Sequence, residues 1–133
     1  MLDQTCAPWC ALVNTTHKGE TLLFNAVDSG HLTTAQLLLD HFAEINAKGN
    51  RGETPIFRAV LFEQSAIVRL LLDQGADVNL QTNDGDSALH CAVRMGDAAL
   101  VETLLYNGAN VNSSTKKNWT PLHCAARWGH RDP

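Results

Sequence analysis

The stretch Gly52-Glu53-Thr54-Pro55-Ile56-Phe57 reads as the entry to a helix. A hydroxyl side chain can accept one of the backbone N–H groups left without partners in a first helical turn. A proline directly after it stands where its missing N–H costs nothing. The same order occurs upstream as Gly19-Glu20-Thr21-Leu22-Leu23-Phe24. It returns downstream as Gly85-Asp86-Ser87-Ala88-Leu89-His90 and as Asn118-Trp119-Thr120-Pro121-Leu122-His123. Each step is 33 residues, and the register persists through Ala26, Ala59, Ala92 and Ala125, then Leu38, Leu71 and Leu104. It closes in Ala43-Glu44-Ile45-Asn46, Ala76-Asp77-Val78-Asn79 and Ala109-Asn110-Val111-Asn112. A fixed period of this length marks stacked supersecondary units.

Within one copy, Thr21, Thr54, Ser87 and Thr120 are the expected N-caps of a short first helix whose alanines allow a neighbouring layer to come close. Gly30, Gly96 and Gly129 are expected to end it in a left-handed turn. A second helix follows, with Leu37-Leu38-Leu39, Leu70-Leu71-Leu72 and Leu104-Leu105 covering the first, and Gly75 and Gly108 stopping it. Three residues depart from this scheme. Phe42 stands where Gly75 and Gly108 stand, Glu63 where Gly30 and Gly96 stand, and Asn118 at the loop glycine. The first two turns must be irregular or carry the strain of a side chain in left-handed backbone; asparagine tolerates that conformation.

The pattern resembles the ankyrin repeat over about residues 16–133. The resemblance implies an all-α solenoid of stacked helix–turn–helix repeats with projecting β-turn loops. It divides the chain into repeats at 16–48, 49–81 and 82–114, a partial fourth at 115–133, and residues 1–15 as a poor N-terminal cap or the remnant of a preceding copy. The histidine at positions 90 and 123 is similar to a structural group that links adjacent loops. The fourth copy supplies a first helix without its second, so Leu122, Ala125 and Ala126 are expected to have one side open to water, and the natural chain is expected to continue past Pro133. Asn46, Asn79 and Asn112 sit in a context similar to that of hydroxylated ankyrin-repeat asparagines, against the plainer expectation that they bond their own turn backbone.

Composition narrows the functional classes. The chain has 133 residues, 44% of them hydrophobic, and a formal charge of −4, which argues against a globally basic nucleic-acid surface. The longest apolar run, Trp9–Val13, is too short to span a bilayer, so no membrane insertion is expected. Cys6, Cys10, Cys91 and Cys124 lack the spacing of a four-ligand metal site and read as thiols of an intracellular, cytoplasmic or nuclear protein. The resemblance implies that Cys91 and Cys124 fall in successive layers, whose spacing is expected to keep them too far apart for a disulfide. His130-Arg131-Asp132 matches a triplet of protein-kinase catalytic loops but lacks the rest of that machinery. No nucleophile elbow, phosphate loop or cofactor motif is present, so neither catalysis nor a cofactor is expected.

The reading that follows is a non-catalytic protein–protein interaction module. The alternative is the ankyrin portion of a larger enzymatic or regulatory protein with its active domain elsewhere. The resemblance implies two binding regions on a concave face. The exposed side of the first helix gives Asp28-Ser29, Leu61-Phe62, Arg94-Met95 and Arg127-Trp128; the loop tips give Lys18 and Glu20, Arg51 and Glu53, Asp84 and Asp86, and Lys117 and Trp119. Leu61, Phe62, Met95 and Trp128 form an apolar ridge across successive layers, of residue types enriched at interface cores.

Overall fold

The computed structural model describes residues 16–17 and 20–123. A two-residue antiparallel pair, β1 (Thr16–His17) and β2 (Glu20–Thr21), opens the fold. Three helical hairpins follow: α1 (Leu22–Ser29) with α2 (Leu32–Asp40), α3 (Pro55–Leu61) with α4 (Ser65–Asp73), and α5 (Ala88–Met95) with α6 (Ala98–Tyr106). Residues 121–123 begin another helix. First helices stack on first helices, α1 on α3 on α5, and α2 packs on α4. This is the helical solenoid that the period predicts.

The core lies between layers. Leu23, Ile56 and Leu89 occupy one register position and are fully buried, as are Val68, Leu71 and Leu104 on the covering helices. Leu122 holds the same position as Leu89 but is 77% exposed, because among the described residues no further layer lies over it. Ala125 and Ala126 lie outside the described residues. At about 25 cal/mol per Å² of apolar surface, covering such a leucine is worth a few kcal/mol, which explains why each layer depends on the next.

The helix starts follow the expected chemistry in three copies. Thr54 Oγ1 accepts from Phe57 N–H at 3.3 Å, Ser87 Oγ from His90 N–H at 3.4 Å, and Thr120 Oγ1 from His123 N–H at 3.4 Å. Thr21 is the exception: it makes no cap bond, and its hydroxyl is buried with no hydrogen-bond partner among the described residues.

All three departures from glycine keep left-handed backbone. Phe42, Glu63 and Asn118 have φ of 72°, 58° and 64°. The turn after α3 therefore closes like its neighbours, with Glu63 N–H on Val60 O and Gln64 N–H on Ala59 O, matching Gly30 on Val27 and His31 on Ala26. The fold imposes the turn, and the side chains bear the strain.

Loops stack as tightly as helices. Each is closed by a backbone bond: Gly49 N–H to Glu53 O, Thr82 N–H to Asp86 O, and Thr115 N–H to Trp119 O. Successive loops are then bonded to each other, Asn83 N–H to Arg51 O at 3.0 Å and Lys116 N–H to Asp84 O at 2.9 Å. A Cβ on Gly85 would lie 2.8 Å from both Lys116 N and Thr115 Cα, whereas one on Gly75 meets nothing within 4 Å.

Two outcomes follow for chemical denaturation. Gly75→Ala should cost about 1 kcal/mol of left-handed strain. Gly85→Ala should cost at least twice that and release the Lys116 amide to hydrogen exchange; equal losses would contradict the backbone approach. Thr21→Val, which removes an unsatisfied hydroxyl, should leave stability unchanged or raise it, while Ser87→Ala should lower it by about 1 kcal/mol.

Candidate functional site

The first helices and the loops ahead of them hold most of the residues singled out by register. Leu61 and Phe62, at the end of α3, are 39% and 48% exposed. Both meet the expectation of solvent-facing apolar residues. Met95, in Phe62's register position, does so only in part: it is half-buried, packs against the core, and receives the Cys91 thiol at 3.6 Å between sulfurs. Arg127 and Trp128 lie outside the described residues, as does the backbone of Lys18; nothing is described of the Glu20 side chain.

The charged candidates divide into two groups. Arg51, Asp84 and Lys117 are exposed at their tips. Glu53, Asp86 and Arg94 are instead engaged within the fold. Arg94 Nη1 pairs with Asp86 Oδ1 at 3.1 Å, joining helix α5 to its own loop. Arg58 Nε pairs with Glu53 Oε1 at 2.7 Å, and Arg58 Nη1 reaches Asp28 Oδ2 of the preceding layer, also at 2.7 Å. The Arg58 guanidinium also lies 4.9 Å from the centroid of the Phe24 ring. Glu53, Asp86 and Arg94 thus order the face rather than project from it.

Sequence reasoning did not single out Arg58. Its signal lay in the register, where Asn25 and Cys91 hold the equivalent position and Phe24 replaces histidine one layer below. An aromatic face in that place gives a cation something to rest on.

His90 behaves as a structural link. Its Nδ1 accepts the Ser87 N–H at 3.1 Å, which leaves the ring proton on Nε2, 2.9 Å from the Trp119 carbonyl of the next loop. His90 is fully buried. Trp119 is half-buried, held by its carbonyl. In the two earlier copies phenylalanine stands here, and the Asp28–Arg58–Glu53 cluster bridges those layers instead. The closing asparagines add a third tie. Asn46 Oδ1 accepts Asp77 N–H at 3.0 Å and Asn79 Oδ1 accepts Asn110 N–H at 2.7 Å. These bonds run to the next repeat, not to the residue's own turn.

A family model of three ankyrin repeats matches residues 5–82 and again residues 66–132. The chain belongs to the ankyrin repeats. Proteins of this family are generally interaction modules and generally non-catalytic. No curated protein sequence matches this chain. Among the described residues of this ankyrin stack, no helix is long and apolar enough to cross a membrane, and no three His, Cys, Asp or Glu side chains are grouped to hold a metal ion.

Cys91 is buried beneath this face, and desolvation pushes its thiol pKa up to about 11, with Arg94 lowering it and Asp86 and Glu53 raising it to lesser degrees. Cys124 lies outside the described residues, so its relation to Cys91 remains an expectation. At pH 8 Cys91 is therefore almost wholly protonated, and only the thiolate is nucleophilic. Iodoacetamide at pH 8 should leave the peptide bearing Cys91 unmodified in the folded chain and alkylate it in urea. Fast alkylation of the folded protein would contradict this burial.

Proposed function

We propose that this ankyrin stack binds a protein partner on the face formed by its first helices and loop tips, with Leu61 and Phe62 as the apolar anchor. The observation that carries the reading is the exposure of these two adjacent large side chains on a face whose first-helix charges, Asp28, Arg58 and Arg94, are already paired. Exposed single leucines are ordinary on a protein surface. Here the pair falls at the register position implied for partner contact, flanked by Asp28 in the layer before and Arg94 in the layer after, both ion-paired. A partner docking there would bury apolar surface without first having to break solvated charges apart, the arrangement found at interface centres.

Arg51, Asp84 and Lys117 would form the polar rim. Rim charges alter association rate and salt dependence more than affinity. Met95 contributes its exposed part to the ridge, and Glu53, Asp86 and Arg94 hold the surface in shape. Register would extend the same surface to Trp119 and, outside the described residues, to Arg127 and Trp128. The partner class is protein rather than nucleic acid, consistent with a chain of formal charge −4.

The double substitution Leu61→Ser with Phe62→Ser tests the ridge. Both side chains are substantially exposed, so far-ultraviolet circular dichroism should be unchanged and stability should fall by less than about 1 kcal/mol. Capture of proteins from lysate should drop severalfold against the unaltered chain. Equal capture by a folded variant would overturn the assignment of the ridge.

A further inference from the structure

We infer that the partner carries a lysine or arginine beside its apolar anchor, and that Glu63 receives it. The inference rests on the ridge reading above and adds the chemistry of the occupant.

Positions 30, 63 and 96 are one register row and take the same left-handed turn, as glycine, glutamate and glycine. Glycine enters this region freely, whereas a side chain is strained there. Asparagine and aspartate soften that strain through short local hydrogen bonds, which the longer glutamate does not make here. Glu63 N–H and Gln64 N–H make the same closing bonds as the glycine turns, so the fold gains nothing from a side chain at this place.

Nor does the carboxylate repay its strain inside the chain. Among the described residues it has no hydrogen bond and no ion pair. It does not cap α4, whose N-cap is Gln64 with no side-chain cap bond. It lies between the C-terminus of α3 and the N-terminus of α4, whose dipoles act on it with opposite sign. The other charges on the first helices and their closing turns are all engaged. Asp28 and Arg58 form one pair, Arg94 pairs with Asp86, and Asp97 accepts the Leu100 N–H. Glu63 is exposed, and it shares its turn with Leu61 and Phe62. Strain of this kind, held where the surrounding fold dictates the backbone, is a mark of functional positions. A carboxylate at the rim of an apolar anchor selects a cation.

The test uses the full chain and a phage-displayed library of random twelve-residue peptides. Selection on the unaltered chain should enrich peptides with Lys or Arg next to Leu, Ile, Phe or Met. Glu63→Gly should raise the melting temperature by a few degrees and weaken the enriched peptides about threefold to fivefold at low salt, the range of a rim ion pair. Glu63→Lys should shift enrichment toward acidic peptides. Equal binding by unaltered and Glu63→Gly chains, an enrichment without basic residues, or an empty selection would overturn the inference. If the enriched peptides bind the Leu61→Ser, Phe62→Ser chain undiminished, the ridge reading itself falls.

Discussion

The spacing of the stack is set where the backbone of one loop meets the backbone of the next. At Gly85 that approach leaves no room for a methyl group against Lys116 and Thr115, and Gly52 meets Asn83 in the same way. The backbone bonds from Asn83 to Arg51 and from Lys116 to Asp84 fix the separation, and the helices behind must pack at the distance the loops dictate. Leucine, isoleucine and alanine from the successive layers are buried together in one core at that distance. The His90 link to Trp119 and the asparagine bonds to Asp77 and Asn110 are additions to this ladder, spanning the same gap at other heights.

Periodicity made the architecture legible before any coordinate was considered. A residue repeated at equal steps occupies equivalent surroundings, so the caps at Thr54, Ser87 and Thr120 could be read from spacing alone. Thr21 could not, because its burial without a partner depends on the packing of the first layer. The departures were legible as departures. Whether Glu63 and Phe42 would bend the turn or be strained by it depended on a contest between local preference and the layers on either side, and the layers won.

The candidate site was less legible, for a different reason. Register says which residues lie on the face but not what each one touches. Glu53, Asp86 and Arg94 look like exposed charge in sequence and are consumed by pairing in the fold. Arg58 looks like an unremarkable helix residue and joins two layers through Asp28. Of these pairs Arg58–Asp28 crosses the repeat interface, so a single copy contains only half of it. Arg58–Glu53 and Arg94–Asp86 each tie a first helix to its own loop through side-chain reach that register does not show. Leu61 and Phe62 kept their expected exposure because no described side chain was placed to cover them.

Asn118 has a mechanical meaning. It holds the conformation of Gly52 and Gly85 at the fourth loop, yet it carries a side chain into the space where those glycines admit the following loop. Any layer laid against this one must keep its loop clear of that side chain while its helices still seat on Leu122. Such a layer would be clasped along its helices and slack at its loops. The joint would flex like a hinge with one leaf unscrewed, and the curvature of the solenoid would be softest there.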